Sequence, residues 1–311
     1  MLKRMASVVV IIGLMGLLLA SCRGELEEKN EITVASKFDT EGALLGNMIL
    51  LVLENGGFEV VDRTELGPTD VVRKALETGE VDVYPEYTGN GNWFFADNDF
   101  GRDWYDREKA LAAVRQLDSK NFDIEWLEPA RANNTWAIAI RRDLSEEEGL
   151  ITLSDFANYV NSGGTVKLAG SEEFVSRPDA LAAFQSEYGF KLTENQLLVV
   201  SGGNTALTEK AAAQGTDGVN ATMAYGTDGP LSALNLIALE DNLGAQLVYE
   251  PAPRIRGEVL RANPELADLL NPVFLRLDSL TLQFLNAQIA VHGIAAREVA
   301  ENWLREENFI D

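Results

Sequence analysis

The sequence predicts a two-lobed α/β fold with a ligand cleft between the lobes, and three observations predict it. Short apolar strands alternate with helices from residue 31 onward, an order that builds parallel sheets covered by helices. The alternation runs through two series that meet near Ala132–Trp136. The residues that follow the strands are tyrosines, cations and small polar groups, at the sheet ends where open α/β folds bind ligands.

The first series opens with a strand at Ile32–Ala35. A helix follows over Thr40–Asn55, with Leu44, Leu45, Met48, Leu51 and Val52 at helical spacing and Gly56-Gly57 as its stop. Phe58–Val61 reads as the second strand. Thr69 is expected to cap a helix over Asp70–Thr78 that ends at Gly79, and Val81–Tyr84 is the third strand. A helix over Arg107–Lys120 and strands at Ile124–Leu127 and Trp136–Arg141 lead into the second series. There Ser154 is expected to cap a short helix, and Val166–Leu168 to form a strand. Pro178 opens a helix that stops at Gly189. Gln196–Val200 is a strand, Asn204–Gln214 a helix and Val219–Ala224 a strand. The tail reads as helices over Pro264–Phe274, Leu280–Val291 and Ala295–Glu306, with His292 at a helix end. The expected division is residues 31–133 plus 239–311 for one lobe and 134–238 for the other.

Composition narrows the function. The chain has 311 residues, 26 Lys and Arg against 49 Asp and Glu, and a formal net charge of -23. Such a chain cannot neutralise phosphates in bulk, which excludes a nucleic-acid partner. A single Cys excludes an intrachain disulfide and a cysteine-based zinc site. No metal or cofactor is expected. There is no HExxH, no nucleophile elbow and no P-loop, so the chain is not expected to be an enzyme.

The N-terminus reads MLKRMASVVVIIGLMGLLLASC. Lys3 and Arg4 precede an apolar run that ends in small residues, the pattern of a secretory signal. Leu19-Ala20-Ser21-Cys22 resembles a bacterial lipobox, which implies removal of residues 1–21 and lipidation of Cys22. Residues 22–30 then form a polar tether. The expected location is extracytoplasmic, at a membrane surface through the lipid anchor.

Each candidate site feature has a plain structural reading. Tyr84–Gly89 can be a turn set by Pro and Gly, Lys37 a solvated loop lysine, and Trp136 and Tyr249 packing residues. Arg177 can form a surface pair with Glu173 four residues earlier. Taken together, aromatics and cations from both series converge on one side of the sheets.

In sequence order, Ser36-Lys37, VDVYPEYTGN at 81–90, NNTWAIAIRRD at 133–143, SEEFVSRPD at 171–179, AYGTDG at 224–229, LIALEDN at 236–242 and APRIRGEVLRANPEL at 252–266 resemble the glycine betaine/choline/carnitine substrate-binding proteins of osmoprotectant ABC transporters. The resemblance covers 31–311. It implies a type II periplasmic-binding-protein fold, a monomer that closes on a quaternary ammonium compound and hands it to an ABC permease. The matching positions imply an aromatic cage of Tyr87, Trp136, Tyr225 and Tyr249. They imply Lys37 and Arg177 for a ligand carboxylate, with Asn90 near it, Glu173 orienting Arg177 and Asn134 presenting its backbone carbonyl to the methyl groups. A quaternary ammonium has no N–H to donate, so ring faces select it where hydrogen-bond acceptors cannot. Three positions depart from the family pattern. Trp136 stands where Tyr is commoner, Asn90 where Thr is common, and Asp39 where an aromatic is common. Lys37 and Arg177 make glycine betaine the expected ligand; the departures keep choline open, and another cationic solute or a sensory lipoprotein of the same fold are the further alternatives.

Overall fold

In the computed structural model, residues 31–97, 99–201 and 205–311 are described, without the side chain of Ser232. The signal, Cys22 and the tether lie outside them. The first part of the chain runs β1 (Glu31–Lys37), α1 (Thr40–Asn55), β2 (Glu59–Gly67), α2 (Thr69–Thr78), β3 (Val83–Tyr87), α3 (Asn90–Phe94), α4 (Arg107–Phe122) and β4 (Ile124–Trp126). The middle runs β5 (Trp136–Arg141), α5 (Arg142–Glu148), α6 (Leu153–Asn161), β6 (Leu168–Ser171), α7 (Glu172–Ser176), α8 (Leu181–Tyr188), β7 (Leu197–Val200), α9 (Thr205–Gln214), β8 (Ala221–Tyr225), α10 (Pro230–Ala233) and β9 (Leu236–Ala238). The tail holds β10 (Pro251–Arg256), α11 (Gly257–Ala262), α12 (Glu265–Arg276), α13 (Ser279–Ala290) and α14 (Ala296–Glu306).

Two five-stranded sheets result, with orders β2-β1-β3-β10-β4 and β7-β6-β8-β5-β9. They are mixed rather than parallel. β1 pairs in parallel with β2 and β3, whereas β10 runs antiparallel to β3 and β4. In the second sheet β6 pairs in parallel with β7 and β8, and β5 runs antiparallel to β8 and β9. The reason is the chain crossing. β5 is the first strand after the chain leaves the first sheet, and β10 the first after it returns. Each crossing therefore inserts one reversed strand beside the strand that carries a motif, β3 or β8.

The crossings run side by side. Asn134 N–H donates to the Tyr249 carbonyl at 2.8 Å, Tyr249 N–H to Asn133 Oδ1 at 2.8 Å, and Thr135 Oγ1 to the Leu247 carbonyl at 2.9 Å. Residues 239–246 stay tied to the second sheet's elements: Leu239 N–H donates to Ile138 O, and Tyr188 Oη to Asp241.

Several sequence expectations shift. The N-cap of α2 is Pro68, with Thr69 already helical. The cap of α6 is Thr152, in a reciprocal capping box with Asp155, and Ser154 lies inside the helix. The strand expected at 166–168 is β6, two residues later, so Ser171 ends it and caps α7. Residues 178–180 form a turn before α8. Tyr-Pro-Glu-Tyr is not a turn but the end of β3, buried throughout. β10 escaped notice because two prolines argue against a central strand; here Pro251 and Pro253 accept through their carbonyls from Ala130 and Leu127.

α1 supplies the core beneath the first sheet. Its Leu44, Leu45, Met48 and Ile49 are buried with Ile32, Val34 and Val83. On the other face Arg254 of β10 is fully buried. Its Nε and Nη2 fork onto Asp118 of α4 at 2.9 and 2.6 Å, and Nη1 donates to Tyr84 Oη at 2.9 Å. Removing one member of such a pair leaves an uncompensated charge in a low-dielectric interior. Asp118→Ala should lower stability by about 3–5 kcal/mol, read from urea unfolding monitored by circular dichroism.

Candidate functional site

The ends of β3, β5 and β8 and the second crossing enclose one cavity between the sheets. Its wall is formed by Tyr87, Asn90, Asn134, Trp136, Glu173, Arg177, Tyr225 and Tyr249, together with Asp39 and Thr69. Eight of the nine expected binding residues are thus brought together. The sheet register explains the ring cluster, since Trp136 opens β5 opposite Tyr225 at the end of β8. Their ring centroids lie 4.6 Å apart, and Phe174 backs Trp136 at 5.3 Å. Burial raises the pKa of Tyr87, Tyr225 and Tyr249 well above the ordinary phenol value, so all three stay neutral rings. The Trp136 indole N–H is buried without a partner among the described residues.

Two motif glycines allow the close approach. A Cβ on Gly89 would meet the Val248 carbonyl at 2.7 Å and the Tyr249 ring at 2.8 Å. One on Gly226 would meet the Asn133 carbonyl at 2.4 Å. Glycine at these positions lets both strand ends press against the crossings.

Lys37 stands apart from the wall. Its Nζ lies 2.7 Å from Glu86 Oε1 and 4.7 Å from the centre of the Tyr87 ring. Glu86, which the sequence reading passed over as part of a turn, is fully buried. It also accepts from Tyr87 N–H and Asn90 Nδ2, both at 2.7 Å, and from Tyr84 Oη at 2.9 Å. Burial acts to raise its pKa, but the Lys37 charge and these donors hold it below the ordinary value. Glu86 is therefore an anion that fixes Lys37, Tyr87 and Asn90 in one arrangement.

Arg177, 4% exposed, is equally committed. Nε and Nη2 fork onto Asp179 at 2.9 and 2.6 Å, and Nη1 donates to Glu173 at 2.8 Å and to Asn90 Oδ1 at 3.0 Å. These bonds use four of the five guanidinium N–H groups. The guanidinium carbon also lies 4.4 Å from the Trp93 ring centre, and Tyr249 Oη donates to Asp179 at 3.0 Å. Burial opposes its charge, but Asp179 and Glu173 raise its pKa above the ordinary value. Arg177, on the second sheet's side, thus reaches Asn90 and Trp93 on the first sheet's side.

A second carboxylate that sequence reasoning missed is Glu41 of α1. It accepts from Tyr87 Oη at 3.0 Å, Asn134 Nδ2 at 2.6 Å and Asn286 Nδ2 of α13 at 2.8 Å. It ties a ring of the wall to a crossing and to the C-terminal helices. Glu41 was legible only as a first-turn acid of α1; its partners lie far away in sequence.

Behind Tyr225 stands an acidic pair. Asp228 accepts from Tyr225 N–H at 2.6 Å and Thr205 Oγ1 at 3.1 Å. Its neighbour Glu209 is buried, and among the described residues neither oxygen has a donor apart from the Asp228 carboxyl itself. Burial first raises both carboxyl pKa values; the Asp228 charge raises that of Glu209 further, whereas hydrogen bonds from Tyr225 N–H, Glu209 and Thr205 offset part of the rise at Asp228.

The gap between the rings is small, about 30 Å³.

Residues 30–306 match the family described as the substrate binding domain of ABC-type glycine betaine transport systems. The glycine betaine-binding protein YehZ of Escherichia coli K12 is 51% identical over 292 residues, covering 94% of this chain and 95% of the relative. A solved structure of apo YehZ superposes with a TM-score of 0.68 at 52% identity, covering 90% of this chain and 99% of that one. A glycine betaine/carnitine/choline ABC transporter structure shares the fold, with a TM-score of 0.72 at 22% identity, covering 90% of this chain and all of the other. The fold is the type II periplasmic-binding-protein fold.

The Glu209–Asp228 pair carries a testable consequence. The folded state holds protons there that the unfolded chain releases at lower pH, so stability is full at acidic pH and falls as pH rises through the raised pKa values. Glu209→Gln should flatten this fall on the alkaline side, as measured by melting temperature against pH.

Proposed function

The chain belongs to the family of substrate-binding domains of ABC-type glycine betaine transport systems, and on that premise we propose that its cleft takes a quaternary ammonium solute, glycine betaine first, for delivery to an ABC permease. The observation that carries this reading is the convergence of Tyr87, Trp136, Tyr225 and Tyr249 on one cavity that also holds Arg177. Each ring face contributes about 0.5–2 kcal/mol to a desolvated cation, so several rings are needed. Among the described residues one N–H of Arg177 Nη2 and the indole N–H of Trp136 have no hydrogen-bond partner, and both are donors open to a ligand carboxylate.

In this reading each sheet moves with its helices as a lobe. The lobes part and close about the paired crossings at Asn133–Thr135 and Leu247–Tyr249, and Arg177 meets Asn90 and Trp93 as they close. The body works outside the cytoplasm as a monomer, held to a membrane by lipid on Cys22.

One observation favours a second reading, choline. Lys37 is matched by Glu86, and Arg177 by Asp179 and Glu173. A ligand carboxylate has to compete with carboxylates already in place, whereas a hydroxyl does not.

Calorimetry with glycine betaine and choline on one preparation tests both readings. Betaine should bind more tightly at weakly acidic pH; binding of neither would remove the proposal. Trp136→Ala should weaken betaine binding by about 1–3 kcal/mol by removing a ring face and leaving a gap, and Trp136→Phe by less. Wild-type affinity in a folded Trp136→Ala protein would make this ring a packing residue. Mass spectrometry of the native protein should find a lipidated N-terminal Cys22, whereas an intact Met1 in the membrane fraction would contradict the anchor.

A further inference from the structure

The cavity wall carries a carboxylate that a cage for a zwitterion does not need. Asp39 lines the space with the four rings. Its Oδ1 accepts from Gly42 N–H at 2.8 Å and caps α1, and it forms no ion pair among the described residues. The nearest cation along the chain, Lys37, is taken by Glu86.

A charge tally shows the consequence. Lys37 is offset by Glu86 and Arg177 by Asp179. Glu173, bound to a guanidinium that Asp179 already neutralises, and Asp39 remain as surplus negative charge on the wall. A purely cationic quaternary ammonium reduces this surplus by one. A zwitterion leaves it unchanged and brings its own carboxylate toward Arg177, beside Glu173 and Asp179. Closing the cleft over two uncompensated carboxylates in a low-dielectric space is costly, and a group in that position neutralises by binding a proton.

We propose that Asp39 is the charge-selecting residue of the cleft: it stays ionised opposite a purely cationic ligand and takes up a proton when a zwitterionic one is enclosed. This rests on the quaternary ammonium reading above. Its setting supports the role. Burial already raises the Asp39 pKa; Lys37 lowers it and Glu173 raises it. Glu41 on its own helix, Tyr87 of β3 and Tyr225 of β8 act on it or feel its charge, Arg177 and Tyr249 share its cavity wall, and Glu86 stands behind Lys37. Lys37 and Arg177 are the cations of this set, and both are paired. The wall thus discriminates by ligand net charge, and the balance between betaine and choline moves with pH.

The test is titration calorimetry of wild type and Asp39→Asn with glycine betaine and with choline. It runs from about pH 5 to about pH 8, a range in which a raised carboxyl titrates, in two buffers of different ionisation enthalpy to count protons. Asn keeps an acceptor for the Gly42 N–H, so α1 stays capped. In the wild type, betaine affinity should fall as pH rises, by up to about tenfold per pH unit with one proton taken up, while choline affinity stays level or rises. Asp228, behind Tyr225, acts on both ligands alike through the ring, so opposite slopes isolate Asp39. In Asp39→Asn the two profiles should run parallel within about twofold, and the betaine-to-choline affinity ratio at the alkaline end should rise about tenfold. Equal slopes for the two ligands, betaine binding without proton uptake, or an unchanged profile in Asp39→Asn would each overturn the proposal and leave the quaternary ammonium reading standing. Failure of both proteins to bind either ligand would overturn that reading and this proposal with it.

Discussion

A buried guanidinium must be neutralised where it stands, and Arg177 sets the terms for the cleft around it. Taking such a charge out of water costs several kcal/mol unless carboxylates and hydrogen bonds surround it. Asp179 supplies a bidentate fork, Glu173 a single contact, and Asn90 a carbonyl from across the cleft. Tyr249 is drawn in because its hydroxyl donates to the same Asp179. The Trp93 ring lies close to the guanidinium carbon. The two sheets therefore meet at one cation, and what the cleft can bind depends on how that cation shares its N–H groups.

The same principle repeats on the first sheet. Glu86 gathers Lys37, Tyr84, Tyr87 and Asn90, and Tyr84 in turn leads through Arg254 to Asp118. Asn90 belongs to both networks: its amide donates to Glu86 and its oxygen accepts from Arg177. A continuous polar path thus runs from the core of the first sheet to the wall facing the second. Fully satisfied networks of this kind hold side chains in one geometry, which a cage of rings requires because cation–π attraction depends on where the ring face points.

Much of this was legible in the sequence. Tyr87, Tyr225 and Arg177 could be read as candidates because ligand groups in α/β sheets cluster at strand ends, Trp136 and Tyr249 only through the family resemblance, and the helix over Thr40–Asn55 because its apolar spacing and paired glycines agree. Glu86 and Glu41 could not be read as partners. A carboxylate inside a Pro-Glu-Tyr run or a first helical turn has ordinary local explanations, and its partners come from up to 245 positions away. The reversed strands were hidden for a related reason. Only the paired crossings decide the direction of β5 and β10, and two prolines masked β10. The capture of Lys37 by Glu86 likewise depends on strand register, which no local pattern reveals.

In the proposed complex four rings enclose a quaternary ammonium while its other end meets Arg177. A crystal structure of the glycine betaine complex tests this most directly. The account predicts the ammonium nitrogen within about 6 Å of the ring centres of Tyr87, Trp136, Tyr225 and Tyr249, with a carboxylate oxygen on Arg177 or the Trp136 indole N–H. Density for betaine outside this quartet, or a trimethylammonium group seated against carboxylates with the rings apart, would contradict it.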